Sequence, residues 1–244
     1  MPHNQVKYLS REVIEQQAER LLRDASSQDL TVSPPVPVED ILERVTGLAL
    51  TFDDLGSQDY LGCVDIDARL VTINKYLLPE MAPGLEGRFR FTVAHEIGHW
   101  VLHRDLLDPA RQGMQHLEQE PARGHVSQSL NGAAKPRLEW QADQFASCLL
   151  MPRQAVHQAW TGEFGPSAAP LPFPSVDTTA LQPLPSSYMR LRLAMERANE
   201  DYEAEKIVGP LAAEFRVSPQ AMRIRCEELR LFVRKNQQVP SGLA

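Results

Sequence analysis

His95-Glu96-Ile97-Gly98-His99 is an H-E-x-x-H pattern. Histidines four residues apart on a helix stand one turn above each other on the same face, so both imidazoles can reach one metal ion while Glu96 sits beside them. A zinc ion held this way takes three protein ligands, keeps a position for water, and makes that water more acidic. Glu96 is then the general base, taking the water's proton and passing it to the leaving amine of a cut peptide. The rest of the chain must supply a helix around the motif and a third ligand.

The helix is legible from Gly87 onward. Phe89, Val93, Ile97, Trp100 and Val101 recur at spacings of three and four, with His95, His99 and His103 on an adjacent stripe, which predicts an amphipathic helix. Gly98 costs a helix about 1 kcal/mol relative to alanine, so its presence points to another backbone, or the metal site, approaching closely there. A second helix is predicted from Leu138 to Leu150 and is stopped by Met151-Pro152. On it Glu139 and Asp143 share one face, while Ala142, Phe145, Ala146 and Leu149 can pack inward. Either carboxylate can be the third ligand, with the other bonding the outer nitrogen of a ligating histidine. A ligand Glu139 supported by Asp143 is the arrangement to which thermolysin-like zincins are similar. His103 lies roughly 12 Å along the helix from His95, too far to share an ion, and is expected to support the site from behind. Leu102 and Asp105 stand where a metzincin needs glycine and histidine, which excludes that class. Tyr60, Tyr76 and His125 are candidates for hydrogen bonding a transition state, each against the plainer reading of sheet packing or solvation.

The elements that must position these residues read as an α+β fold. Ser10 caps a helix over residues 11 to 24 whose apolar face is Val13, Ile14, Ala18, Leu21 and Leu22. A second helix from Val38 buries Ile41, Leu42 and Val45, and Gly47 ends it. Leu48 to Phe52 reads as a strand, and Tyr60 to Ile66 and Leu70 to Asn74 as a hairpin. The expectation is a small, mostly antiparallel three-stranded sheet packed on a mainly helical, zincin-like domain. Its strand Leu61, Gly62, Cys63 and Val64 is a candidate edge for pairing with an extended substrate. The peptidase core is expected over residues 1–160, with a polar, mobile insertion at 106–136. A proline-rich irregular segment follows at 161–185, then helices over 186–235 that complete the domain, then a flexible tail at 236–244.

Bulk properties narrow the function. The chain has 244 residues and a formal net charge of -7, which argues against a surface given over to nucleic acid. Cys63, Cys148 and Cys226 form no C-x-x-C pair and are odd in number, so free thiols in a reducing cytoplasm are expected. Met1 to Asp24 carries charge throughout, and no apolar run approaches the roughly 18 residues of a membrane span. A cytoplasmic protein without membrane contact is expected.

Arg90-Phe91-Thr92-Val93-Ala94-His95-Glu96-Ile97-Gly98-His99, with Glu139-Trp140-Gln141-Ala142-Asp143-Gln144-Phe145-Ala146 and Leu149-Leu150-Met151-Pro152, resembles the ImmA/IrrE family of bacterial zinc metallopeptidases. Leu211 to Arg225 also resembles that family's closing helices. The resemblance implies a thermolysin-like site in which His95, His99 and Glu139 bind one zinc ion and Glu96 is the base. It further implies a helix-turn-helix repressor as the protein substrate, whose cleavage releases stress-response or mobile-element genes. The long insertion and the proline-rich segment depart from the family pattern. Two other functions compete. Leu211 to Leu231, with Arg216, Arg223, Arg225, Arg230 and Arg234, has the outline of a helix-turn-helix with a basic second helix, as in a DNA-binding regulator. The acidic chain and the family's own closing pattern weigh against direct DNA contact. A metal-binding regulatory protein without turnover is the other alternative.

Overall fold

Ser10 accepts a hydrogen bond from the Val13 amide and starts α1 (Arg11–Ser27), as its position before an apolar repeat predicts. The computed structural model describes residues 8–78, 84–107, 137–166, 170–174 and 189–234. His125, nearly all of the 106–136 insertion and the tail lie outside these residues. Contacts divide the chain into two compact units, Met1–Pro152 with Phe215–Val217, and Arg153–Glu214 with Ser218–Ala244.

In the first unit, α1 is followed by α2 (Val38–Asp40), which continues as a π-helical turn (Ile41–Val45). Gly47 leaves that turn at φ +68, a left-handed conformation that favours glycine. Then come β1 (Ala49–Asp53), β2 (Gly62–Asp65), β3 (Leu70–Asn74), α3 (Glu86–Leu107) and α4 (Arg137–Leu150). On α1, Ile14, Ala18, Leu21, Leu22 and Ala25 are buried against α4, whereas Val13, assigned to the same face from spacing, is 39% exposed. Val45 is only half-buried.

The sheet has the order β1-β3-β2. The β2–β3 hairpin is antiparallel, as its short turn requires, but β1 pairs with β3 in parallel, so the sheet is mixed rather than mostly antiparallel. The connection over residues 54–61 carries the chain past the position beside β1. β3 then returns between the two earlier strands and runs in the direction of β1. Among the described residues β2 is therefore an edge strand.

α3 departs from the amphipathic expectation in an informative way. Thr92 through His99 are all buried, so the helix has no solvent face along that stretch. It is sandwiched between the sheet, which offers Val71 and Ile73, and α4, with which it makes its most extensive packing. A helix covered on both sides buries its polar residues too, and those are the residues of the motif. α3 also runs to Leu107, past the start assigned to the insertion.

Gly98 marks the point of closest approach. A Cβ there would lie 3.2 Å from both Cα and O of Ala142 and 3.3 Å from Phe145 Cβ. The neighbour that excludes a side chain is therefore the backbone of α4.

The second unit contains α5 (Arg153–Phe164), β4 (Leu171–Pro172), α6 (Met189–Ile207), α7 (Gly209–Phe215), α8 (Pro219–Glu228) and β5 (Phe232–Val233). The stretch read as irregular from Thr161 begins instead with the last turn of α5. Leu171 and Phe173 donate their amides to the carbonyls of Leu231 and Val233, so Pro172, which has no N–H, falls where none is needed. Trp160 meets Phe164 and Phe232 at centroid distances of 4.4 and 5.4 Å. Ser218 accepts from the Ala221 amide, with Pro219 in the first turn of α8.

Most of the arginines that suggested a DNA-reading helix are paired with carboxylates of the protein itself. Arg223, 4% exposed, is ion-paired with Asp201, Glu205 and Glu227. Arg234 pairs with Glu200, Asp201 and Glu227 and lies 3.7 Å over the Phe173 ring. Arg225 is buried beside Glu228, and Arg216 pairs with Glu86. Arg230 is exposed. Among the described residues no helix is long and apolar enough to cross a membrane.

The α3–α4 crossing yields a first prediction. Alanine favours a helix over glycine by about 1 kcal/mol, yet at position 98 its methyl must separate two packed backbones, a class of change that costs about 1–3 kcal/mol. Gly98→Ala is expected to lower the urea midpoint and to weaken metal binding. A variant more stable than the parent would contradict the packing argument.

Candidate metal centre

α3 and α4 bring three donor groups to one point. His95 Nε2 lies 3.0 Å from His99 Nε2, and the Glu139 carboxylate reaches both, with Oε2 3.2 Å from His95 Nε2 and Oε1 3.4 Å from His99 Nε2. The donor atoms of these three residues all fall within 4.8 Å of one another. Asp143 takes the other side of His95: its Oδ1 is 2.9 Å from Nδ1, and because a carboxylate only accepts, Nδ1 is the donor. Glu139 thus faces the inner nitrogens and Asp143 the outer one. Among the described residues no carboxylate stands behind His99. Its Nδ1 is 3.1 Å from His103 Nδ1, and His103 Nε2 is 2.8 Å from Gln141 Oε1.

Electrostatics follow from this geometry. Burial opposes a charge on His95, but the hydrogen bond to Asp143 and the neighbouring carboxylate of Glu139 outweigh it and lift its pKa to about 10. Burial works against ionised Glu139 as well, yet the two imidazoles hold its carboxyl well below the usual carboxylate range. His103, with burial dominant, is pushed down to about 4 and stays neutral. Burial also pushes the Glu96 carboxyl up, against the pull of His95 and His99.

The donor set fits a divalent cation. Two imidazole nitrogens and a carboxylate are the ligands of a catalytic zinc with a position left for water. Among the described residues nothing hydrogen-bonds the buried Glu139 Oε2 and Glu96 Oε2; Glu139 Oε2 approaches His95 but not with hydrogen-bond geometry. Leaving a buried carboxylate oxygen unpaired costs about 1–3 kcal/mol or more, and a cation among these atoms relieves it.

The sheet closes the site from the other side. Gly62, at the start of β2, would place a Cβ 2.9 Å from Thr92 Cγ2, 3.0 Å from Ile73 Cδ1 and 3.2 Å from Glu96 Oε1. Only a residue without a side chain lets the edge strand come this near to Glu96. Leu61 beside it is buried, while Cys63 and Val64 are half-buried. Tyr60 is brought toward the site: burial, a hydrogen bond with Cys63 and the charges of Glu96 and Glu139 all raise its pKa. Tyr76 serves elsewhere, donating its hydroxyl to the Gln58 carbonyl at 2.9 Å. Asn74, 3% exposed, donates through Nδ2 to the carbonyls of Ser57 and Tyr60, both at 2.9 Å, and so pins the loop that delivers Tyr60 and β2.

Asn74 and Gln141 were not singled out from sequence. A polar residue closing the apolar run of β3 was a signal for Asn74. Gln141 gave none, since its spacing from Glu139 and Asp143 places it off their shared face.

Residues 47–166 match the peptidase family model described as the IrrE N-terminal-like domain. The domain that carries this site belongs to the ImmA/IrrE family of metallopeptidases. No curated protein matches the chain. The matched segment opens at Gly47, on the way into β1, and closes after α5, so it takes in the sheet and both helices of the ImmA/IrrE site.

His95 gives the site a pH signature. In metal-free protein its pKa is raised from 6.5 to about 10, so near neutrality it carries a proton that an incoming cation must displace. Competition weakens as pH rises, so apparent zinc affinity should increase with pH, by up to about tenfold per unit below that pKa. Chelator-competition titrations at several pH values check this, and a flat profile would contradict it.

Proposed function

We propose that this chain is a zinc-dependent endopeptidase of the thermolysin-like, gluzincin type, with one zinc ion held by His95, His99 and Glu139. The observation that carries the reading is the convergence of both inner imidazole nitrogens on Glu139, with the unpaired carboxylate oxygen of Glu96 buried alongside. When bound, zinc polarises the scissile carbonyl and makes water more acidic. Glu96 accepts the proton released as water's oxygen bonds to the carbonyl carbon, and delivers it to the amide nitrogen as the C–N bond breaks. Its environment suits that task, because burial favours the protonated form it must pass through. Asp143 and His103 hold His95 and His99 from behind. We assign Tyr60 to hydrogen-bond the developing oxyanion, a reading supported by the influence of Glu96 and Glu139 on its hydroxyl.

The substrate segment is extended and pairs with the outer edge of β2, which no described strand covers, along Leu61, Gly62, Cys63 and Val64. Backbone pairing there registers a peptide beside Glu96, because Gly62 removes the side chain that would stand between them. We take the substrate to be a helix-turn-helix repressor in the cytoplasm, whose cutting releases stress-response or mobile-element genes; the ImmA/IrrE membership of the domain supports this. A DNA-binding role is not favoured, since Arg223, Arg225 and Arg234 are tied to acidic partners within the protein.

Co-expression with a repressor encoded beside this gene tests the proposal. Wild type should cut it, whereas Glu96→Gln should keep zinc and lose activity by about 10²–10⁴-fold, the scale of general-base catalysis. His99→Ala should lose both zinc and cleavage. Equal cutting by wild type and Glu96→Gln would remove the mechanism.

A further inference from the structure

We infer that Gln141 sets the direction of a buried hydrogen-bond chain, Gln141–His103–His99, and through it the tautomer in which His99 meets the metal. The inference rests on the metal-site reading above; Gln141 and His103 act in it as positioning residues.

The chain is short and closed to water. Gln141 and His103 are each 1% exposed and His99 5%. His103 Nε2 is 2.8 Å from Gln141 Oε1, and the two Nδ1 atoms of His103 and His99 are 3.1 Å apart. A neutral imidazole has one N–H and one lone pair, so each ring passes on the direction it receives. If Gln141 presents its oxygen, His103 donates from Nε2 and accepts at Nδ1. His99 must then donate from Nδ1, which leaves a lone pair on Nε2. That is the atom at the centre of the donor set, 3.4 Å from Glu139 Oε1 and 3.0 Å from His95 Nε2, and in metal-free protein it accepts the hydrogen bond that the protonated His95 donates from Nε2.

With the amide turned over, every bond reverses. Gln141 Nε2 donates, His103 donates from Nδ1, His99 accepts there, and the proton on His99 Nε2 points where a metal needs a lone pair. His95 escapes this ambiguity because Asp143 can only accept. His99 depends on an amide one ring removed. The choice of an amide has its own logic: Glu96, Glu139 and Asp143 already place three carboxylates around this point, and glutamine supplies an acceptor without a fourth negative charge.

The test compares the full chain with Gln141→Leu, which has no acceptor, and Gln141→Glu, which when ionised can only accept, with the spectra taken at a pH where that carboxyl is ionised. Long-range ¹⁵N NMR of histidine-labelled, metal-free protein reads the tautomers, and chelator competition reads zinc affinity. In wild type His99 should carry its proton on Nδ1 and His103 on Nε2. Gln141→Leu should mix the tautomers at His99 and weaken zinc binding by about 10–100-fold, the usual loss when the partner of a ligand histidine is removed. Gln141→Glu should keep the wild-type tautomers and bind zinc no more weakly than wild type does. His99 protonated on Nε2 in wild type would overturn the inference, as would a Gln141→Leu protein with unchanged spectrum and affinity. Should Gln141→Leu fail to fold, loss of the wild-type tautomers in Gln141→Glu would overturn it equally. Wild type that binds no zinc refutes the metal reading instead, and its His99 tautomer still decides this one.

Discussion

The close crossing of α3 and α4 is the constraint on which the site depends. Each helix alone presents an incomplete set: two imidazoles on one, two carboxylates on the other. Contact between Gly98 and the Ala142 backbone sets how far apart they stand, and at that separation Glu139 spans both inner nitrogens while Asp143 still reaches the outer nitrogen of His95. A wider crossing would break all of these contacts together, because His95, Glu96 and His99 belong to one rigid helix. α1 lies on the far side of α4 and the sheet on the far side of α3, so the pair is clamped from both directions.

That clamp gathers ionisable groups where water is excluded. Burial disfavours charge on His95, Glu96, His103 and Glu139, yet the group is not neutral: the imidazoles hold Glu139 ionised, and the carboxylates hold a proton on His95. Without metal, a proton on His95 does part of what a cation would do. The binding of metal is therefore an exchange of positive charges within a prepared pocket, and so it couples to pH and to the stability of the α3–α4 pair.

Much of this was legible in the chain. The H-E-x-x-H spacing, the helix around it and the paired Glu139 and Asp143 follow from helical periodicity, which is local. What periodicity does not carry is which side of a helix meets what. Val13 matched an apolar repeat and faces solvent; the α3 residues read as amphipathic because burial on two sides cannot be told from burial on one. The parallel β1–β3 pairing was hidden for a related reason, since strand order is decided by where a connection of ordinary length travels. The basic pattern of the last helices misled in the same way. Arginine at helical spacing looks identical in sequence whether it meets phosphate or, like Arg223, three carboxylates.

The edge strand shows how a residue without chemistry of its own can govern the site. β2 satisfies its inner edge through β3, and among the described residues no strand pairs with its outer edge, while its first residue passes within contact of Glu96. A side chain at Gly62 would push against Thr92, Ile73 and the carboxylate at once, so the strand would have to lift away from α3. Asn74 prevents a different displacement. By holding the carbonyls of Ser57 and Tyr60 it fixes the loop before β2, and its own amide bonds the Leu61 carbonyl at 2.8 Å. One buried amide thus sets where Tyr60 stands and where the edge begins. The donor groups answer to the α3–α4 crossing and the edge to Asn74 and Gly62, and the two meet at Glu96, the carboxylate shared by both.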